Sequence, residues 1–418
     1  MNDALRIFLK PKEEREVVQG FPWVFDNEIS HVKYIASDGS GRKDAPLSEC
    51  ESADGSACEV FTAAGGFIGT GIINRKSKIC VRMLSSAHAD KVFENTKSFI
   101  DARIRDAANM RRIRYGELDS YRLVFAEADL LPGLIVERFA SVEGSVYLVV
   151  QFLALASEVF RKEITAALIK TCNPQGIYER SDAAVREKEG LEERTGWIYG
   201  SGGDVITINE NGILFYVDIA KGQKTGFFLD QKDNRKAIMP FCHGKRVLDA
   251  FSHTGAFALA AAFAGAREVV AAEISEDALS MIEKNIALNK KENTVKPVLA
   301  DVFDLLKKYE ESGETFDVIV LDPPAFTKSA KNIQKAYGGY KEINLRAMRL
   351  LGKGGILISC SCSAFFDANT FYDMLMHAAA SSGRRVQILE KRGAGEDHPI
   401  LLGYERSEYL KCAIARVL

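Results

Sequence analysis

The chain has 418 residues, a hydrophobic fraction of 47% and a formal net charge of −2. That length exceeds one ordinary domain, so two or three packed units are expected, and a charge so near zero excludes a globally basic nucleic-acid-binding surface. Local patches must supply any attraction to RNA, since even residues 1–85 are balanced in sign. The start, MNDALRIFLK, lacks the charged-then-apolar pattern of a secretion signal, and no apolar run is long enough to span a bilayer. A cytoplasmic protein with no membrane partner is expected. The eight cysteines show neither C-x-x-C nor zinc spacing, so they read as reduced thiols and no metal is expected.

Taken in order, Leu5–Leu9 alternates as a strand, GFPWVFDNEI (20–29) sets an aromatic cluster beside a turn, and Phe67–Ile73 is apolar and punctuated by glycine. Between them, Ser37–Ala57 is rich in Ser, Gly, Asp and Ala and reads as a flexible surface insertion. Together, residues 1–85 form a small β domain. The pattern GxPWVFxNEI resembles the start of the PUA domain, an RNA-binding β-barrel, although Trp23 and Phe25 are equally accounted for as filling a small core. The long insertion departs from the compact form of that domain.

From Phe93 to Tyr115 the period is helical: Phe93, Ile100, Ile104 and Ala108 share a face, and Arg103, Arg105, Arg111, Arg112 and Arg114 surround it as a solvated rim. In YRLVFAEADLLPGLIVERF (121–139), Leu131-Pro132-Gly133 marks a turn between strands, and VYLVVQF (146–152) is a third strand. A helix over Ala154–Lys170 and a strand over Gly176–Arg180 complete a central α+β domain, residues 86–203, which ends in the polar stretch Glu187–Gly203. In VITINENGILFYV (205–217), alternation on both sides of Asn211-Gly212 predicts a hairpin. Then comes GQKTGFFLDQKDNR (222–235), within a stretch where basic residues outnumber acidic ones. A loop of that balance suits a phosphate or a carboxylate, while Phe227 and Phe228 point to a buried role.

KRVLDAFSHTGAFALAAAFAGAREVVAAE (245–273) reads as a strand ending at Asp249, a polar turn from Phe251 to Gly255, an alanine-rich helix over 256–264 and a second strand ending at Glu273. A dinucleotide fold would use G-x-G-x-x-G so that backbone can approach a pyrophosphate; this turn has a single glycine. S-adenosylmethionine (SAM) fits better, its ammonium meeting Asp249 and its ribose meeting Glu273. Ser275 can cap the next helix, and Val298–Asp301 is a third strand whose terminal acid stands where an adenine amino group would be read. FDVIVL (316–321) is a buried fourth strand ending in Asp322-Pro323-Pro324-Ala325-Phe326. A helix includes 345–351, Gly355–Ser359 is a fifth strand ending in CSCS, and Val386–Glu390 with Tyr409–Val417 closes the sheet as an antiparallel pair. Residues 204–418 thus form a seven-stranded Rossmann-like methyltransferase sheet, and the whole chain is of the α/β class.

Two strand ends carry the chemistry. The prolines stiffen the turn after Asp322 and aim its carboxylate at the pocket, where it can hold a flipped base. Carbon 5 of a pyrimidine is a poor nucleophile until a thiolate adds to carbon 6, and Cys362 is placed to supply that thiolate. The ordered set YRLVFAEADLLPGLIVERF, GQKTGFFLDQKDNR, VLDAFSHTGAF, LDPPAF, SCS and EDHP (396–399), with the PUA-like start, is similar to the bacterial family of 23S ribosomal RNA large-subunit cytosine-5 methyltransferases over nearly the whole chain. That resemblance implies SAM as methyl donor, ribosomal RNA as partner and 5-methylcytidine as product. It assigns Cys362 as nucleophile, Asp322 as the base-holding acid, and Phe227, Asp249, Phe251, Thr254, Gly255, Glu273, Asp301 and Asp322 as cofactor-binding residues. The second cysteine that many RNA cytosine-5 methyltransferases carry after the fourth strand is missing from DPPAF, and Cys360 competes with Cys362 by position. Carbon 5 of uridine, an exocyclic amine and a noncatalytic RNA-binding protein are the alternative readings; a homodimer is compatible with the sequence.

Overall fold

A computed structural model of the protein describes residues 5–36, 38, 40–222, 225–327 and 329–418. The chain divides into two units, one of Met1–Asp204, Ile219–Lys221 and Asp397–Ser407, the other of Val205–Asp218, Gly222–Glu396 and Glu408–Leu418.

The first unit holds two sheets. One has seven strands in the order Trp23–Phe25, Ile79–Ser85, Phe67–Ile73, Ala57–Phe61, Leu5–Leu9, Ile29–Ile35 and Arg42–Ala45. Buried Leu5, Ile7 and Leu9 alternate with half-buried Arg6 and Phe8, as a sheet with one face on a core requires. Trp23 is buried and its indole N–H donates to Glu127, so it serves this unit's interior. The segment read as a flexible insertion is in part built into the sheet: Arg42–Ala45 pairs antiparallel with Ile29–Ile35, a 3-10 turn spans Leu47–Glu49, and Cys50 is buried. An edge strand needs few apolar residues, which is why the polar sequence RKDA gave no strand signal. Ser37 and Gly39 of that segment lie outside the described residues.

The other sheet runs Arg194–Gly200, Gly176–Ser181, Val146–Phe152, Leu134–Ala140, Tyr121–Phe125. The polar tail expected at Glu187–Gly203 therefore contains its edge strand, and the single helix expected over Ala154–Lys170 is two, Leu155–Glu158 and Arg161–Cys172. The helix Thr96–Tyr115 buries Ile100, Ile104 and Ala108 as its spacing predicts. Its arginine rim is not uniformly solvated. Arg111 is buried, forks onto both carboxylate oxygens of Asp129 and donates to the carbonyls of Arg122 and Asp397. Asp397 and His398 of the EDHP motif are buried in this unit, bonded to each other at 2.7 Å, with Asp397 also accepting from the Arg122 N–H.

The second unit opens on the predicted hairpin, Val205–Glu210 and Ile213–Asp218, whose turn residues Asn211 and Gly212 take φ of 54° and 86°. Its sheet consists of β1 (Arg246–Ala250), β2 (Glu268–Glu273), β3 (Val295–Leu299), β4 (Phe316–Leu321), β5 (Leu351–Ser361), β6 (Val386–Arg392) and β7 (Lys411–Val417), in the order 3-2-1-4-5-7-6. The first five are parallel, and β7 runs antiparallel to β5 and β6. Helices α1 (Ala256–Phe263), α2 (Glu276–Leu288), α3 (Val302–Ser312), α4 (Ile333–Leu350) and α5 (Ala368–Ser382) accompany it. Strand β4 is apolar almost throughout because a central parallel strand is covered on both faces. The strand order reverses between β1 and β4, which opens a crevice beyond their carboxyl ends. Strand β3 stops at Leu299, so Asp301 lies past it as the N-cap of α3. The helix expected at 345–351 begins at Ile333, and Leu351 already belongs to β5.

Candidate active site

Beyond the carboxyl ends of the parallel strands lies a cavity of about 410 Å³, a size suited to a small ligand. Phe227, Phe251, Thr254, Glu273, Asp301, Asp322 and Cys362 all line it. Left-handed backbone shapes the turn that borders it: after β1, Phe251, His253 and Gly255 take φ of 66°, 53° and 81°. A bulky residue such as Phe251 adopts that region only where surroundings impose it. One of those constraints is Asn285 of α2, fully buried, which donates to the Thr254 carbonyl and accepts from the hairpin's Tyr216 N–H.

Asp249, expected to meet a ligand ammonium, is not on the cavity wall. It is 1% exposed, and its Oδ2 accepts from Ser252 Oγ at 2.5 Å and Ala258 N at 2.9 Å. Its Oδ1 is buried without a hydrogen-bond partner among the described residues. Gly255 is also off the wall; it supplies the left-handed residue from which α1 starts. Glu273 accepts from His253 N with one oxygen and from Ile274 N and Ser275 N with the other, which fixes its carboxylate at the cavity edge. Asp301 uses Oδ1 to cap α3, accepting from Phe303 N at 2.7 Å, and its Oδ2 has no partner among the described residues.

Burial pushes the Asp249 carboxyl up to about 7, against the lowering influence of its bonds to Ser252 and Ala258 and with the help of nearby Asp322 and Glu273. In an unfolded chain that group titrates at about 3.9. The folded state thus holds the proton more tightly, so the group's contribution to stability is complete below about pH 4 and is lost as pH rises through about 7. Asp249→Asn should flatten this part of the stability profile. Urea unfolding of both proteins across the window checks it, and identical slopes would remove Asp249 as the cause.

The turns after β4 and β5 meet. Cys362 Sγ lies 3.8 Å from the Pro323 carbonyl, just past the end of β5, while Cys360 lies within the strand, buried opposite Cys412. A hydrogen bond with the Cys412 thiol, and then burial, drive the Cys360 thiol well above its ordinary pKa. The end of the strand thereby separates two cysteines that their spacing alone leaves equivalent. Tyr340 of α4 knits the two turns: its hydroxyl is 2.9 Å from Ser363 Oγ, and its ring packs on Phe326 at 4.5 Å. Gln231 donates to Asp322 Oδ1 at 2.9 Å; its own carbonyl accepts from Asn234, whose oxygen accepts from Arg392. Of the basic stretch, Arg235 is not available for a phosphate: it is buried, forks onto Glu210 at 2.5 and 2.7 Å and stacks over Phe227. Gln223 and Lys224 of the same loop lie outside the described residues. Neither Gln231, Asn285 nor Tyr340 carries a sequence signal, because each acts through contacts distant in the chain.

A sequence profile of the S-adenosylmethionine-dependent methyltransferases matches residues 178–400, and one of PUA-like domains matches residues 7–86. The ribosomal RNA large subunit methyltransferase I of Aeromonas salmonicida is 39% identical over 415 residues, spanning 98% of each chain; that of Shewanella frigidimarina is 39% identical over 418 residues, spanning 99% of this chain and all of the other. The chain belongs to the ribosomal RNA large subunit methyltransferase I family, within the SAM-dependent methyltransferases. The fold is also that of a provisionally assigned SAM-dependent methyltransferase from Streptococcus mutans, at a TM-score of 0.78 and 20% identity over 98% of this chain and 99% of the other. A structure of a provisionally assigned methyltransferase complexed with S-adenosylhomocysteine matches with the same score, identity and coverage. The residues present fit the family's cofactor. A carboxylate stands at the tip of β2, the Asp301 Oδ2 acceptor is open, and aromatic rings of Phe228, Phe251 and Phe303 wall the cavity.

Proposed function

We propose that this protein transfers a methyl group from SAM to carbon 5 of a cytosine in large-subunit ribosomal RNA, with Cys362 forming a transient bond to carbon 6. The observation that carries the reading is the sharing of one cavity by the Cys362 thiol and the carboxylates of Asp322, Glu273 and Asp301. The relatives' names, as ribosomal RNA large subunit methyltransferases, supply the substrate class. The Cys362 thiolate adds to carbon 6 and makes carbon 5 enamine-like. Asp322, oriented by Gln231, accepts from the cytosine amino group; uracil has a carbonyl there and offers no such donor. When bound, SAM supplies an electrophilic methyl group. Carbon 5 then gives up its proton to a base, the carbon 6–sulfur bond breaks, and the thiolate and the aromatic ring are restored.

In this reading Glu273 holds the ribose hydroxyls of SAM, Asp301 the adenine amino group, and Phe227, Phe251 and Thr254 wall the cofactor, while Asp249 and Gly255 act from behind the turn. Glu273→Ala should lower SAM affinity by roughly 10- to 100-fold, the worth of about 1.5–3 kcal/mol for a hydrogen bond to a charged group. Calorimetry checks this, and unaltered affinity would take Glu273 out of the site.

The deciding experiment is nucleoside mass spectrometry of ribosomal RNA after incubation with the protein and SAM. A rise in 5-methylcytidine is expected; a methylated uridine or exocyclic amine would overturn the assignment. The amine is the second reading to separate, because Asp322-Pro323-Pro324-Ala325-Phe326 offers a carboxylate and an aromatic ring to a base without needing a thiol. Cys362→Ala would leave amine transfer intact.

A further inference from the structure

Lys411, the first residue of β7, has no place in the chemistry described so far. It is 4% exposed, and its register partner on β5 is Ser361, the residue before Cys362. Its ammonium donates to the carbonyl of Ser363, the residue after Cys362, at 2.7 Å and to its neighbour Tyr409 at 2.7 Å. The amine therefore grips the turn that presents the thiol. A neutral donor could satisfy both carbonyls, yet the buried group is one that carries charge, and removing an ammonium from water is costly unless an anion compensates it. Among the described residues no carboxylate lies within ion-pair distance of it; of the groups whose negative charge would favour its ammonium, Cys362 comes first, ahead of Asp367 and Glu408.

We propose that Lys411 is the positioning residue of the nucleophile, holding the Cys362 turn through the Ser363 carbonyl and stabilising the Cys362 thiolate with its buried positive charge. This rests on the cysteine-adduct reading and deepens it. The thiol proton leaves to water through the cavity, to which Cys362 is open, and the thiolate that remains completes an ion pair with the ammonium. When carbon 6 takes the sulfur's electron pair the ion pair is dissolved, and when the carbon 6–sulfur bond breaks it re-forms, so Lys411 also favours release of the thiolate as leaving group. Burial brings the Lys411 ammonium down to about 8, and the Cys362 anion opposes that fall, so the two charges support each other. The other groups facing the pair are Tyr340 from α4, Asp322 across the cavity, Asp367 before α5 and Glu408 before β7. The acids oppose thiolate formation, and Lys411 is the cation set against them.

The test is the pH dependence of iodoacetamide labelling at Cys362, read by peptide mass spectrometry on the full chain without SAM. A cation within about 4–6 Å of an acid lowers it by about one pH unit or more. Lys411→Gln, which retains amide donors for the carbonyls, should raise the labelling midpoint by about that much and slow labelling at neutral pH roughly tenfold, whereas Lys411→Arg keeps the low midpoint. An unchanged midpoint in Lys411→Gln, with SAM affinity preserved as proof of folding, would overturn the proposal. Should Lys411→Gln fail to fold, the wild type decides. Its Cys362 midpoint should lie below that of the same cysteine in the urea-unfolded chain, and an equal or higher value counts against Lys411. Trapping on 5-fluorocytidine RNA keeps the two ideas apart. An adduct with an unaltered Lys411→Gln midpoint defeats Lys411 alone, while a shifted midpoint with no adduct defeats the cysteine-adduct reading and leaves the ion pair standing.

Discussion

RNA carrying 5-fluorocytidine at the target position should remain covalently attached to this protein through Cys362 once SAM is present. Fluorine at carbon 5 cannot leave as a proton does, so after methyl transfer the elimination that breaks the carbon 6–sulfur bond is blocked. A slow-migrating species on a denaturing gel, and a tryptic peptide containing Cys362 with the nucleotide mass added, are the expected readouts. Cys362→Ala should form no adduct and lose roughly 10³-fold or more in transfer rate, since the nucleophile acts as part of a unit with the groups around it. Cys360→Ala should retain both adduct and activity, because Cys360 is buried against Cys412 and away from the cavity. Full activity with no trapped species would transfer the chemistry to a direct displacement on an amine.

Arg235→Ala is expected to lower the stability of the second unit by about 3–5 kcal/mol, the cost of breaking a buried pair and leaving one charge uncompensated. Both partners are nearly inaccessible: the Arg235 and Glu210 side chains are 3% and 4% exposed, joined by two short hydrogen bonds. Arg235 also donates to the Phe228 carbonyl and lies over the Phe227 ring, so its loss frees the aromatic segment that walls the cavity. A fall in SAM affinity should accompany the loss of stability. Urea unfolding measures the first effect and calorimetry the second; a stability change below about 1 kcal/mol would show that the pair gains no more than a surface ion pair does.

The strands that end at the cavity were legible because their signals are local. FDVIVL can be little other than a central strand, Asn211-Gly212 fixes a hairpin turn by the φ angles it permits, and the single glycine after Asp249 separates this turn from a pyrophosphate cradle. The same local logic failed where polarity reflects an edge rather than a loop. Arg42–Ala45 and Arg194–Gly200 are edge strands that sequence reads as an insertion and a polar stretch. It also read the Arg111 rim and Arg235 as solvent- or phosphate-facing, because a buried arginine is betrayed only by the distant Asp129 or Glu210 that receives it.

Sequence by itself determined the class of the sheet and the acids at the ends of β1, β2 and β4, since these follow from apolar periodicity and from residue types at fixed short spacings, and the SCS resemblance singled out Cys362. Only the tertiary structure set Cys362 at the cavity and Cys360 within the strand, placed Asp249 in a buried site beneath the turn, and brought Gln231 to Asp322 and Tyr340 and Lys411 to the turn that holds Cys362. The reason is physical. Which side chain faces a cavity depends on where a strand ends and on what packs against it, and those partners lie tens to hundreds of residues away, where no local pattern records them.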